Sequence, residues 1–262
     1  MHAKLFQLRS FIAYWLDAVS EYSLHSPFLF DFYIRFLKQK PAPRRVDSLH
    51  QVRKKLQSNH HIIHVNDLGA GSLHFKNSER KISAIARTSA TPEKFSKLYS
   101  NLISHYRFAH VIELGTSLGI NALYLAKAHD SVQVITFEGS PEVAKVALSL
   151  FAENKVENVK LIEGNIDGTL PNHLATMEKI DFALIDANHR FEPTLQYFHW
   201  IVKKTHAYSI IVLDDIHYSA EMERAWYAIQ SHELVYTTVD LYRCGLVLLN
   251  PSLTKQNVVL QF

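Results

Sequence analysis

The chain has little of several things, and each shortage removes a class of protein. One cysteine, Cys244, in 262 residues excludes an intrachain disulfide and any cysteine-cluster metal site. That fits a reducing compartment. Net charge is only +3, so no broad electrostatic attraction to nucleic acid or to an acidic membrane surface is expected. No stretch approaches the roughly 18–20 apolar residues that a membrane span needs. The start, residues 1–23, carries Lys4 and Arg9 but no long uncharged core and no small-residue cleavage site, so no secretory leader is expected. Sixteen histidines are scattered without zinc-type spacing. With 47% apolar and 20% charged residues, the composition is that of a globular protein, expected in the cytoplasm.

Glycine is scarce too, with eight in the chain, and two of them fall together in VIELGTSLGINALYLA, residues 111–126. An apolar run ends in Glu113, then come Gly115, three residues, Gly119 and an amphipathic stretch. This reads as strand, tight turn and helix. The glycines let the backbone take positive φ and approach a ligand closely, and the helix start adds free N–H groups. The next apolar run, Val132–Phe137, closes on Glu138. A carboxylate about 20 residues beyond a glycine turn, at the tip of the second strand, suits the two hydroxyls of a ribose. The pattern Glu-x-Gly-x-x-x-Gly lacks the first glycine of a dinucleotide turn, and Glu113 would face an amino-acid ammonium group. S-adenosylmethionine fits this pair of carboxylates better than a dinucleotide.

From residue 110 onward the chain alternates strand and helix. Strands are expected at 110–114, 132–137, 159–162, 181–185, 209–213, 234–242 and 245–249, and helices at 119–129, 141–153, 168–177, 192–204 and 219–231. Five strands with intervening helices make a parallel sheet with right-handed crossovers. The last two are separated by little more than Arg243 and Cys244, so they form a hairpin and one of them runs antiparallel. The expectation is an α/β fold: a doubly wound, seven-stranded, mostly parallel sheet with an antiparallel hairpin strand. Upstream, residues 3–38 look helical and aromatic, divided at Pro27 with Ser26 as N-cap. Val46–Gln57, Arg80–Arg87 and Glu93–Tyr106 read as further helices. The expected division is a mainly helical extension at 1–91, forming a substrate cap or dimer surface, and a cofactor-binding domain at 92–262.

IELGTSLG (112–119), FEGSPE (137–142), EGNI (163–166), LIDANHR (184–190) and LDDIH (213–217) together resemble the class I S-adenosylmethionine-dependent methyltransferases. Within them the chain is similar to the catechol and antibiotic-sugar O-methyltransferases, over about residues 92–250. The resemblance implies a Rossmann-like methyltransferase fold. It implies that Glu113, Gly115 and Gly119, with Thr116 and Ser117, border the methionine part of the cofactor. Glu138 and Gly139 would meet the ribose, Gly164 and Asn165 the adenine, and Asp186 the methionine end again. Many relatives carry Asp where Asn165 stands. Asp214 and Asp215 lie 28 and 29 residues beyond Asp186. Metal-dependent relatives place a Mg²⁺-binding carboxylate set at about this spacing. Helix capping and cofactor contacts without a metal are the competing reading of that trio. For the catalytic base, the catechol branch has lysine where this chain has His189, and some sugar-modifying relatives have Asp where it has Asn188. His189 and His217 are the candidates, with Asp186 beside them.

The implied reaction is methyl transfer from S-adenosylmethionine to the hydroxyl of a small-molecule acceptor. Nucleic acid and membrane partners are not expected, and a homodimer is. The alternatives are a catalytically silent binder of S-adenosylmethionine or its demethylated product, and a nicotinamide-dependent oxidoreductase. Asp67–Ser72, a second glycine-rich stretch, reads as an ordered loop. Lys76, Arg80 and Lys81 beside it read as a solvated charge cluster, and Trp226 as a core residue.

Overall fold

The computed structural model describes residues 2–39, 43–65 and 78–262. In chain order the helices are α1 (His2–Asp17), α2 (Pro27–Phe32, continued by a π-helical segment Tyr33–Lys38), α3 (Leu49–Gln57), α4 (Ile82–Thr88), α5 (Glu93–Tyr106), α6 (Ile120–Ala126), α7 (Pro141–Glu153), α8 (Ile166–Thr176), α9 (Phe191–Val202) and α10 (Ala220–Gln230). The strands are β1 (Ile62–His64), β2 (Glu79–Lys81), β3 (His110–Leu114), β4 (Gln133–Glu138), β5 (Val159–Glu163), β6 (Ile180–Ile185), β7 (Thr205–Asp214), β8 (Thr237–Asp240), β9 (Cys244–Leu248) and β10 (Gln256–Val259). Chain contacts sort into two compact units, Pro41–Met177 and the pair of segments Met1–Lys40 with Glu178–Phe262.

In the Pro41–Met177 unit, β3, β4 and β5 are parallel, with Ile112 opposite Ile135 and Phe137 opposite Ile162. β3 is buried along all but His110, as befits a strand covered on both faces. α5 buries Phe95, Leu98, Leu102 and Ile103, the stripe its 3.6-residue period requires. Leu118, Leu123, Tyr124, Ala147 and Phe151 form one core with Val46, Leu49 and Leu56. β1 and β2 pair antiparallel, which the polar sequence before Arg80 did not announce. Arg80 and Lys81 lie in β2; Asp67–Ser72 and Lys76 lie outside the described residues.

In the other unit the strand order is β10-β8-β9-β7-β6. β6 and β7 are parallel, and β9 is antiparallel to both β7 and β8, which is the expected hairpin. β10, absent from the sequence expectation, adds in parallel to β8 and makes one strand more than the seven anticipated. The fold is thus the expected α/β class, mostly parallel with a short antiparallel hairpin. Trp226 of α10 is fully buried, and its ring lies where a side chain on Gly245 would sit, 2.5 Å from an added Cβ. It is a core residue, as expected. Ser26 caps α2 by accepting from the Leu29 N–H.

α1 is two-faced. Tyr14 Oη donates to the Leu260 carbonyl at 2.7 Å, Ser10 bonds Glu223, and Phe11 meets Tyr242 edge to face. Leu5, Leu8, Ile12 and Trp15 are exposed, Trp15 at 67%. Of the N-terminal aromatics, Phe11 and Tyr14 meet residues of the same unit and Trp15 is exposed. Among the described residues, no helix is long and apolar enough to cross a membrane.

Candidate functional site

The glycine turn forms as the sequence requires. Gly115 and Gly119 take φ of 98° and 81°, and Ser117 between them takes 47°. The Gly115 and Thr116 N–H groups both donate to the Phe137 carbonyl at 3.1 and 2.9 Å, which ties the turn to β4. Gly119 is needed twice over. Its φ disfavours other residues, and an added Cβ would lie 2.8 Å from the Phe151 ring and 3.0 Å from Ala147. α6 therefore starts directly against the Phe151 and Ala147 side chains of α7, with no side chain of its own at 119.

Both predicted carboxylates are built into this turn, in different ways. Glu138 accepts from the Ser117 N–H at 2.8 Å on one oxygen and from the Ser140 N–H at 2.9 Å on the other. It bridges the glycine turn and the start of α7 while staying partly exposed. Glu113 is 1% exposed; Asn121 donates to one oxygen at 2.8 Å and Thr136 to the other at 2.6 Å. Thr136 also bonds Thr116 at 2.6 Å. Burial pushes the Glu113 pKa up to about 7; the nearby Glu138 charge adds to this, and the Thr136 and Asn121 hydrogen bonds oppose it. Gly139 follows Glu138 directly, and Ser140 precedes Pro141 at the head of α7. Gly164, at φ 131°, donates its N–H to the Glu138 carbonyl at 2.9 Å, so the β5 tip is fastened to the β4 tip. Asn165 caps α8 by accepting from the Asp167 N–H.

The acidic cluster belongs to the other unit. Asp214, the last residue of β7, is fully buried, and Arg243 Nη2 lies 2.8 Å from its Oδ2. The same guanidinium is 3.5 Å from Asp215 Oδ1. His189 Nε2 is 3.5 Å from Asp186 Oδ1. Asn188, His189, Asp215 and Tyr242 all take positive φ, at 66°, 30°, 53° and 65°. Non-glycine residues in that region carry strain, which concentrates at functional sites. Asp214 Oδ1, Asn188 Oδ1 and Arg243 Nε are buried with no hydrogen-bond partner among the described residues. Burial raises the Asp214 pKa, the Asp215 charge raises it further, and Arg243 opposes both.

Two of the candidate roles meet other partners here. Among the described residues, no group of three or more His, Cys, Asp or Glu is placed to hold a metal ion. Of the trio Asp186, Asp214 and Asp215, the innermost carboxylate, Asp214, is bonded by Arg243. His217, read as a candidate base, has neither ring nitrogen free for an acceptor. Nδ1 lies 2.8 Å from Glu223 and Nε2 2.8 Å from Asp240, and the ring stacks on Tyr242 at 5.6 Å. Arg243, Asp240 and Glu223 were not singled out from sequence. The only available signal was a lone arginine in a tight hairpin between two apolar strands.

Residues 112–216 match the family model described as a methyltransferase domain. The fold is Rossmann-like, as in a solved O-methyltransferase structure that aligns with it. Among curated proteins, the O-methyltransferase imqG of Aspergillus flavus is 26% identical over 113 residues, which cover 41% of this chain and 45% of that protein. The match thus spans less than half the length of that relative. Among solved structures, the O-methyltransferase TomG from Streptomyces achromogenes, in complex with S-adenosylmethionine, aligns with a TM-score of 0.54 at 19% identity, covering 62% of this chain and 82% of TomG. Cofactor-bound Rv0187 from MTB aligns with a TM-score of 0.60 at 19% identity, covering 78% and 90%. At these identities the structural likenesses speak to the fold.

Proposed function

We propose that this chain is an S-adenosylmethionine-dependent methyltransferase that methylates a hydroxyl oxygen of a small-molecule acceptor. The observation that carries the reading is the Glu138 carboxylate fastened to a turn that only glycine at 119 permits. Each Glu138 oxygen accepts one backbone N–H, and a carboxylate is an acceptor of the kind a sugar hydroxyl donates to. The match of residues 112–216 to a methyltransferase domain and the cofactor in TomG support the same ligand.

S-adenosylmethionine supplies a methyl group already activated on a sulfonium. The chain's own task is alignment and removal of the acceptor proton. Glu138, with Gly139 beside it, binds the ribose hydroxyls. Gly115, Thr116, Ser117 and Gly119 border the methionine portion with their backbone. Glu113 orders that turn through Thr136 and Asn121, and its charge is favoured once an ammonium group is near. Gly164 and Asn165 border the adenine. On the acceptor side, His189 takes the hydroxyl proton, with Asp186 holding the imidazole, because the carboxylates on His217 occupy both of that ring's nitrogens. Residues 1–91 shape the acceptor side, and the chain works in the cytoplasm. A second copy covers the outer face of α1, where Leu5, Leu8, Ile12 and Trp15 recur at the three- and four-residue spacing of a helix–helix seam. Sedimentation that returned a monomer would remove the dimer.

The deciding experiment combines calorimetric titration and turnover. S-adenosylhomocysteine is expected to bind and NADH not to. Methyl release is expected over some members of a panel of hydroxylated acceptors. Binding without turnover across the whole panel would favour the silent binder, and NADH binding alone would favour the oxidoreductase.

A further inference from the structure

Divalent cations are held by oxygen ligands at roughly 2.0–2.6 Å, and Mg²⁺ keeps several of its waters. The strand-tip carboxylates of this chain meet a different cation. Arg243 lies in the turn between β8 and β9, directly after Tyr242, whose φ is 65°. The Arg243 carbonyl accepts from the Ile216 N–H at 3.2 Å, so the turn is pinned to the segment that follows Asp214 and Asp215. From there Nη2 reaches Asp214 Oδ2 at 2.8 Å and Asp215 Oδ1 at 3.5 Å. Asp186 contributes to the same field. A guanidinium is charged throughout the ordinary pH range, so the cation held against these carboxylates is a permanent one. Asp214 has 0% exposure, which leaves no room beside it for the waters a Mg²⁺ ion retains. A second cation here would sit against a permanent one.

We propose that Arg243 is the resident cation of the Asp186, Asp214 and Asp215 cluster, taking the place of a divalent metal, so that this chain neither binds nor uses one there. Arg243 then acts as a positioning residue. It neutralises Asp214, which would otherwise be an unpaired buried charge, and it fixes the strained Asp215 turn. The part that concerns turnover rests on the methyltransferase reading; the part that concerns cation binding does not.

The test is titration of the native protein with MnCl₂, followed by the paramagnetic signal of free Mn²⁺. The native chain is expected to leave that signal undiminished up to millimolar metal. Arg243→Gln, which removes the charge, is expected to gain Mn²⁺ binding at least about tenfold tighter than native, and Arg243→Gln combined with Asp215→Asn to lose it. Arg243→Lys, which keeps the charge, is expected to stay metal-free. Native methyl release is expected to be equal with Mg²⁺ and with a chelator. Stoichiometric Mn²⁺ binding by the native chain that Asp214→Asn or Asp215→Asn abolishes would overturn the proposal, as would chelator-sensitive turnover. If Arg243→Gln does not fold, the native titration alone decides. No turnover under any condition together with no Mn²⁺ binding would count against the methyltransferase reading and leave the resident cation standing.

Discussion

Two regions built from strand-tip carboxylates differ in how their oxygens are met. Around the glycine turn, both oxygens of Glu113 and both of Glu138 have a donor, from the turn itself, β4, α6 or the residue before α7, while Asn121 Oδ1 has no partner among the described residues and Ser117 takes positive φ. Around Asp214, one carboxylate oxygen, the Asn188 amide oxygen and Arg243 Nε lack partners among the described residues, and Asn188, His189, Asp215 and Tyr242 are held at positive φ. A satisfied network rigidifies; a partly satisfied one stores free energy that an incoming group can release. The comparison teaches that the same residue type at a strand tip has its oxygens fully met in one unit and partly unmet, among the described residues, in the other.

The largest effect should come from a buried, fully paired group in the unit that holds Asp214. His217→Ala strands the Asp240 and Glu223 carboxylates, and breaking a buried pair of this kind costs about 3–5 kcal/mol. Denaturant unfolding at pH 6 checks it. Burial lowers the His217 pKa, but Asp240 and Glu223 outweigh burial and raise it above its ordinary value. The stabilisation is therefore complete below about 6.5, the unfolded value, and is lost as pH rises through the folded value. A His217→Ala penalty that did not shrink at alkaline pH would contradict the assignment.

Glu113 probes the satisfied side. Its folded pKa of about 7 exceeds the ordinary glutamate value of 4.5, so the folded chain binds the proton more tightly. Stability should fall as pH rises through that window, by roughly 2–4 kcal/mol. Glu113→Gln can still accept from Asn121 and donate to Thr136, so its stability should be flat over the same window. Thermal melts of both proteins from pH 4.5 to 8 decide.

Glu138→Ala removes an ionised acceptor from the proposed ribose site and frees two backbone N–H groups. A loss of roughly 1.5–3 kcal/mol in S-adenosylhomocysteine affinity is expected by calorimetry. Unchanged affinity would remove the ribose assignment. The smallest effect should be Gly245→Ala. Its Cβ would press on the Trp226 ring at 2.5 Å, and overpacking of this kind costs about 1–3 kcal/mol, with cofactor affinity unchanged.

Much of the fold was legible because its signals are local. Pro92 and the apolar spacing of Phe95, Leu98, Leu102 and Ile103 announce α5, and the short Arg243–Cys244 connection announces a hairpin. Gly119 was legible because only its type suits its backbone. β10 was not legible: Gln256–Val259 is short, and its place beside β8 comes from the Tyr236 carbonyl and the β8 ladder, not from any pattern of its own. At the candidate site the sequence singled out Asp186, Asp214 and Asp215 and not Arg243, which bonds Asp214. Asp186, Asp214 and Asp215 look like ligands when read by spacing, because spacing says where strand tips fall and nothing about the charge that reaches them.

The sequence by itself determined the alternation of strand and helix, the glycine turn and the carboxylates that close β3, β4 and β7, since each depends on residues within a few positions of one another. Only the tertiary structure decided that Arg243 neutralises Asp214 across 29 residues and that His217 is clamped by Asp240 across 23. The reason is that a charge acts through space. Its partner is whichever group folding brings within about 3 Å, and side-chain reach, burial and the strained φ of Asp215 and Tyr242 set that distance together.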